Sequence, residues 1–220
     1  SYSVTGVQTC ALPIYMYEDM PASHVQDLWS KVLHGDQPAG RSTLGTKENI
    51  KKMVRDNFVN YKKNHYVSSK TVIIVSGNIK SSEVYKEVNR YFKNIPSTKS
   101  EKKEKTKNIQ NKPNVLIKHK ETDQTHFVLG VRTFPIMDKR NMTVSLLGAV
   151  LGAGMSSRLF NKLREEMGVA YYVRAYNDAL SDYGSFQISA GVNNERAIEV
   201  IKEIIRECNI LKMEKVGDRE

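Results

Sequence analysis

The chain has 220 residues, 40% hydrophobic and 26% charged, and this ordinary globular composition argues against a chain that is disordered throughout. No apolar run approaches the roughly 18 residues that span a bilayer, so no membrane-spanning protein is expected. The formal net charge of +10 raises the question of nucleic-acid binding. Six lysines against two glutamates lie between Lys99 and Lys112, however, and a solvated linker accounts for this run better than a nucleic-acid groove, which would also carry arginine and aromatic side chains.

The first 14 residues, SYSVTGVQTCALPI, resemble a translated sequencing adapter, so we leave them out of the predicted fold. From Tyr17 the sequence becomes helical in pattern. Up to the linker, the patterns predict a helix that starts at Asp19-Met20-Pro21 and breaks at His34, a second helix capped by Thr46, a helical turn around Phe58 and Tyr61, a buried strand at Thr71–Val75, and a helix from Ser81 to Phe92.

After the linker, strands and helices alternate in an order typical of an α+β sheet with its helices on one face. The predicted elements are strands at Asn114–His119 and Thr125–Arg132, helices at Asp138–Leu151 and Ser156–Met167, strands at Ala170–Ala175 and Gly184–Ala190, and a last helix from Asn194 to about Leu211. Cys208 continues the apolar stripe of this last helix, which indicates a buried, reduced thiol and weakly favours a reducing compartment.

The block LGAGMSSRLFNKLREEMGVAYYV, residues 151–173, is the most informative stretch. Gly152 and Gly154 permit a tight connection between two helices, including a left-handed one, and Ser156 or Ser157 can cap the second helix. Arg164 lies beside the apolar stripe of that helix, and Tyr171 begins the next strand, so we expect the two side chains to lie close together. On chemistry alone an ordinary capped helix with a surface Arg–Glu pair is the favoured interpretation, because such pairs are common.

Several stretches resemble the insulinase family of zinc peptidases, which includes pitrilysin and mitochondrial processing peptidase. Residues 151–173 resemble the signature of the family's second domain. Further matches are YEDMP at 17–21, GRSTLGT at 40–46, VIIVSGNI at 72–79 and KETDQTHFVLGVR at 120–132. The resemblance covers residues 15–220 and implies α+β sheet-and-helix domains of the processing-peptidase type, one partial and one nearly complete.

On this resemblance, residues 1–14 are a non-native segment and residues 15–97 are the C-terminal part of the first peptidase domain. Residues 98–113 are the lysine-rich linker, and residues 114–220 are the second, substrate-supporting domain, truncated at its end. The chain is therefore expected to be a fragment of a longer protein.

The family's zinc centre resembles an inverted zincin, in which HxxEH supplies two histidine ligands and a glutamate base and a later glutamate completes the site. None of the five histidines of this chain forms HxxEH, and Pro13 occupies the position of the later glutamate. Zinc is thus expected in the intact protein but not on this fragment. The lone histidines are interpreted as surface or packing residues.

Arg164 and Tyr171 match the family pair that supports the substrate backbone and the developing oxyanion, whereas Gly152, Gly154, Ser156 and Ser157 are expected to position that pair. The resemblance implies a zinc-dependent endopeptidase that cleaves enclosed, unfolded peptides by metal-activated water, with this fragment inactive alone. The alternative is a non-catalytic, substrate-binding subunit of a two-chain family member. The expected partners are a peptide substrate and a second subunit, in a homodimer or a paired assembly, with neither nucleic acid nor membrane, in the cytoplasm.

Overall fold

The computed structural model describes residues 11–97 and 102–217, with side chains from Ile14 onward. The predictions for adapter-like residues 1–10, linker residues 98–101 and the last three residues lie outside the described residues. The helices are α1 (Ala11–Asp19), α2 (Pro21–His34), α3 (Lys47–Lys52), α4 (Arg55–His65), α5 (Ser81–Phe92), α6 (Asn141–Gly152), α7 (Arg158–Phe160) and α8 (Ala197–Met213), and the strands are β1 (Gln124–Thr133), β2 (Ala170–Ala179) and β3 (Gly184–Asn193). The predicted α+β class is confirmed.

The chain forms two compact units. Of the described residues, the larger unit contains 11–46 and 105–217, and the smaller unit contains 47–97 and 102–104. The division falls after Glu104, and residues up to Thr46 group with those that follow it. The predicted domain boundaries of the longer protein stay a prediction, because a compact unit need not coincide with an evolutionary domain.

The larger unit is built around an antiparallel sheet with the strand order β1-β3-β2, so β2 lies at an edge. One face of the sheet carries the core, in which β3 contributes Phe186, Ile188, Ala190 and Val192. The helices α6, α7 and α8, with the turn Asn161–Glu166 that follows α7, supply the other side of this core through a group of apolar side chains with almost no exposure: Leu151, Leu159, Leu163, Val200 and Ile204.

The opposite face of the sheet is polar along its centre. Side chains alternate along a strand, so Ser185, Gln187 and Ser189 of β3 point away from the core, yet all three are buried. Part of their cover comes from α2, because the Trp29 ring lies against Gly130 of β1, whose register partner on β3 is Gln187. The helices that follow the linker thus share one face of the sheet, whereas α2, which precedes the linker, lies against the second face.

Two of the predicted strands are wrong. Thr71–Val75 and Asn114–His119 form no strand, and Ile74 and Ile117 are each 86% exposed. A strand is stabilised by cross-strand pairs and by a covered face. Within the described residues neither segment has a strand beside it, so its apolar sequence alone does not produce a β-strand.

In the smaller unit, α5 has the predicted bounds, whereas α3 and α4 are short and largely exposed, with Ile50 and Val67 as buried apolar side chains. In the larger unit, α2 begins with Pro21 as its first residue and ends at Gly35, where φ is +61°, as the start and stop signals predict. None of the helices in the described part of the chain is both long and apolar enough to cross a membrane.

Candidate functional site

A cleft of about 420 Å³ runs beside the edge strand β2. Residues 172–176 of β2 form one wall, and residues 152–155, which connect α6 to α7, form the other. Phe160 and Arg164 complete the lining. We call this feature the β2 cleft; it brings part of the predicted site block together in one place.

Arg164 lies in a widened helical turn. The helix predicted over Ser156–Met167 begins at Arg158 and continues from Asn161 to Glu166 as a π-type turn, in which the Met167 N–H donates to the carbonyl five residues back at 3.1 Å. Such turns insert one extra residue and are frequent at functional sites. Leu163 anchors the turn in the core, and Gly168 ends it with a φ of +62°. The turn thereby places Arg164 at the cleft with a buried neighbour holding its backbone.

Arg164 and Tyr171 are in contact, although not through the phenol. The Arg164 Nη1 donates to the main-chain carbonyl of Tyr171 at 2.9 Å, and its guanidinium lies 5.3 Å from the centre of the Phe160 ring. Among the described residues Arg164 forms no ion pair; the ion pair of this turn joins Lys162 to Glu166 at 2.6 Å. The surface Arg–Glu alternative is therefore wrong for Arg164.

Tyr171 lies at a β-bulge. The register of β2 against β3 shifts between Ala170 and Tyr172, which pair with Val192 and Gly191, so Tyr171 is the extra residue. A bulge redirects the side chain of the strand that carries it. Here it leaves the Tyr171 side chain 53% exposed while its carbonyl receives Arg164. No local sequence pattern predicts the bulge, because it depends on the register between β2 and β3.

The predicted positioning residues act in other ways than expected. Neither Gly152 nor Gly154 has a positive φ, so the left-handed connection is wrong. A Cβ on Gly152 would lie 2.5 Å from the Ala175 nitrogen, so this glycine lets α6 approach β2 closely. Ser157 stands at the N-cap of α7, but its hydroxyl donates to the Gly154 carbonyl at 2.6 Å instead of capping the helix, and the Ser156 carbonyl accepts from the Asn161 amide at 3.2 Å.

Tyr172 is a cleft residue that the sequence interpretation missed. Its phenol lies 3.0 Å from Nδ1 of His126, across the strand that separates them. Gly191 sits between the two in the register, and a Cβ there would lie 2.5 Å from the Tyr172 ring. Burial raises the pKa of Tyr172, with Arg174 acting in the opposite direction, and burial lowers the pKa of His126. A neutral imidazole and a protonated phenol are therefore favoured at neutral pH.

Arg174 and Tyr176 were missed as well. They follow Tyr172 at intervals of two on β2, so they share the polar face of the sheet. The pKa of Tyr176 is raised by burial and by Asp178, against the effect of Arg174. The alternating sequence of Tyr172, Arg174 and Tyr176 was a usable signal for this face. The residues that line the cleft include two guanidinium groups and no carboxylate.

The histidines are distributed over the chain. His34 is buried with its ring 4.3 Å from that of Tyr183, His24 lies 2.9 Å from the Lys118 ammonium, and the His65 ring packs against Tyr61. Within residues 11–97 and 102–217, no group of three His, Cys, Asp or Glu side chains is placed to hold a metal ion. The described residues thus do not provide a zinc ligand set.

A family model described as the peptidase M16 inactive domain matches residues 52–220. An uncharacterized zinc protease of Bacillus subtilis, YmxG, is 33% identical over 94% of this chain and 50% of its own length. An uncharacterized zinc protease of Streptomyces coelicolor is 29% identical over 86% of this chain and 42% of its own. The chain thus spans about half the length of the curated relatives it matches.

Solved structures share the fold at low sequence identity. A protease from Helicobacter pylori superposes with a TM-score of 0.82 and 18% identity, covering 97% of this chain and 53% of that one. A peptidase M16 inactive domain from Pseudomonas fluorescens gives a TM-score of 0.80 with 19% identity over 96% of this chain and 53% of that one. With the family match over most of its length, the chain belongs to the M16 peptidase family, and the predicted membership of the insulinase-type zinc metallopeptidases is confirmed.

Proposed function

We propose that the full-length protein containing this chain is a zinc-dependent endopeptidase that cleaves unfolded peptides, and that this chain provides its substrate-supporting half. The protein would work in the cytoplasm as a homodimer or as one of two paired subunits. The zinc protease names of the curated relatives support the peptidase assignment. The β2 cleft supports the role of this chain within that peptidase.

The observation that carries the proposal is the fixed position of Arg164. Its guanidinium is held by the Tyr171 carbonyl at 2.9 Å and by the Phe160 ring, and it forms no ion pair among the described residues. A cation that is oriented but not neutralised can stabilise negative charge that develops on a nearby group, at little cost in reorganisation. Arg164 would therefore hold a substrate carbonyl and steady the oxyanion formed from it.

Tyr171 would act beside it as a neutral donor. The bulge turns its side chain outward, so the phenol O–H is accessible to a substrate carbonyl while the main chain of the same residue fixes Arg164. One residue thus orients the cation and offers a hydrogen bond of its own. Such donors are useful only when they are aimed at the position of the developing charge.

Zinc does not fit the described residues, because they offer no set of three ligands. We therefore assign the metal and the activation of water to the rest of the full-length protein. No step through zinc is assigned to the residues of this chain.

The proposal is tested by Arg164→Ala in the full-length protein, with kcat for an unstructured fluorogenic peptide as the readout. Loss of one preorganised donor lowers kcat by about 10²-fold in comparable sites. Lys162→Ala, which removes a cation from the same helical turn, is the matched control and should change kcat less than about twofold. An unchanged kcat in the Arg164 variant, at equal folded fraction, would contradict the proposal.

The same assay separates the alternative of a non-catalytic, substrate-binding subunit. A full-length protein that binds the peptide but does not cleave it, with or without added zinc, would select that alternative. The 220-residue chain alone is expected to show no hydrolysis, and hydrolysis by it that a chelator abolishes would contradict the assignment of zinc to the rest of the protein.

A further inference from the structure

We propose that the outer edge of β2 binds an extended polypeptide segment as an additional strand, and that Arg164 and Arg174 select segments with acidic side chains. The inference rests on the proposed function, since it names the kind of peptide that this half of the protein would hold. Three properties of the β2 cleft support it: its main-chain groups, its shape and its charge.

The first property is an open strand edge. The order β1-β3-β2 leaves the outer side of β2 without a neighbouring strand in the described part of the chain. On that side alternate residues present N–H and C=O groups, which can template another strand. The Tyr171 carbonyl already accepts from Arg164, so pairing would begin beyond the bulge, at residues 172–176.

The second property is room for a backbone. The wall facing residues 172–176 consists of residues 152–155, of which the first three are Gly, Ala and Gly. Nothing lies within 4 Å of the position that a Cβ on Gly154 would occupy. Five residues of β2 span about 16 Å at the usual rise per residue, enough for a short extended segment. Small side chains in the opposite wall let the main chain of such a segment approach β2.

The third property is positive charge on both sides of the edge. Arg164 comes from the helical side of the sheet, whereas Arg174 belongs to the polar face, and the residues lining the cleft include no carboxylate. Successive side chains of an added strand would point to opposite faces. Two adjacent acidic residues of the segment would therefore each pair with one arginine. The cleft should bind acidic segments and disfavour the binding of basic ones.

Binding to the full 220-residue chain can be measured by NMR titration with three decapeptides of sequence Gly-Thr-Val-Thr-X-X-Thr-Val-Thr-Gly. We expect the Glu-Glu peptide to bind at least about fivefold more tightly than the Gln-Gln peptide, as expected for exposed ion pairs. The Lys-Lys peptide should bind more weakly than both. Equal affinities of the three peptides would overturn the charge selection.

Main-chain pairing has its own readout. A Glu-Glu peptide with N-methyl groups on alternate residues cannot donate to a strand edge, so one of the two possible N-methyl sets should weaken binding about tenfold while the other has little effect. Hydrogen exchange should slow for outward-facing amides within residues 172–176 when the unmethylated peptide binds. Binding that is insensitive to both methylated peptides and protects no β2 amide would overturn the added-strand geometry.

Two variants locate the site on the protein. Arg174→Glu should abolish the preference for the Glu-Glu peptide, and Gly154→Leu should weaken all three peptides because it narrows the cleft without touching a charge. Lys212→Glu, which changes an exposed cation on α8 that does not line the cleft, is the matched control. Far-UV circular dichroism establishes that each variant is folded, and undiminished binding in both folded cleft variants would overturn the site.

The outcomes distinguish this inference from the proposed function. If the full-length protein cleaves peptides in an Arg164-dependent manner but binding does not involve β2, the inference fails and the proposed function stands. If peptides bind along β2 but the full-length protein cleaves none, the peptidase assignment fails and the binding surface stands.

Discussion

One apolar residue of the larger unit and one of the smaller unit lie at opposite extremes of exposure. In the larger unit Ile204 of α8 is 0% exposed, inside a core that α6, α7 and α8 close against the sheet. In the smaller unit Ile74 is 86% exposed, in a stretch that is at least as apolar in sequence. Ile204 is buried because the sheet and the neighbouring helices cover it, whereas Thr71–Val75 has no partner strand among the described residues. Burial is what converts apolar area into stability.

The largest expected effect comes from the same truncation in both units. Ile204→Ala should lower the free energy of unfolding by about 2–5 kcal/mol, because it leaves a cavity in a closed core. Ile74→Ala should change it by less than about 0.5 kcal/mol, because the side chain is already in water. Urea unfolding followed by circular dichroism measures both. Equal losses in the two variants would show that Ile74 is buried in solution.

A smaller effect on stability tests how closely α6 packs against β2 in the larger unit. Gly152→Ala places a methyl group 2.5 Å from the Ala175 nitrogen and 2.8 Å from the Ala175 Cβ, so we expect a loss of about 1–3 kcal/mol. Gly154→Ala, two residues away in open space, should change stability by less than about 0.5 kcal/mol. The urea midpoints of the two variants measure these changes in stability. A Gly152→Ala variant as stable as the wild type would show that α6 can move away from β2.

The smallest expected effect concerns pH and the buried His34. Its pKa is lowered from 6.5, chiefly by burial and then by Arg132, against the effect of Asp182. The unfolded chain therefore takes up the proton first as the pH falls, and the wild type should lose stability below about pH 6.5. His34→Gln should reduce this loss without removing it, since burial also lowers the pKa of His24 and His126. Urea titrations at pH 7.5 and 5.5 test this, and identical pH slopes would contradict it.

Local signals in the sequence predicted much of the fold. The bounds of α5, the Pro21 start and Gly35 stop of α2, and the three paired strands follow from patterns that act within a few residues. The strand predicted at Thr71–Val75 failed because pairing needs a neighbour that no local pattern contains.

The same distinction between local patterns and long-range pairing applies to the candidate site. The sequence of residues 151–173 predicted Arg164, Tyr171 and Gly152 as site residues. Arg164 and Gly152 line the cleft, and the Tyr171 carbonyl accepts a hydrogen bond from Arg164. The β-bulge, the π-type turn and the contact of Tyr172 with His126 could not be predicted. The bulge and the contact of Tyr172 with His126 depend on the register between strands, and register is a property of the assembled sheet.

The position of α2 on the sheet has a consequence for synthesis on the ribosome. The Arg132 guanidinium donates to the Leu33 carbonyl, and 99 positions of sequence separate the two residues. At a translation rate of roughly 5–20 residues per second, β1 is synthesised about 5–20 seconds after α2. Until then, the apolar face of α2 that carries Trp29 has no sheet to pack against. During that interval α2 exposes the kind of apolar surface that chaperones bind, and packing against β1 then buries it.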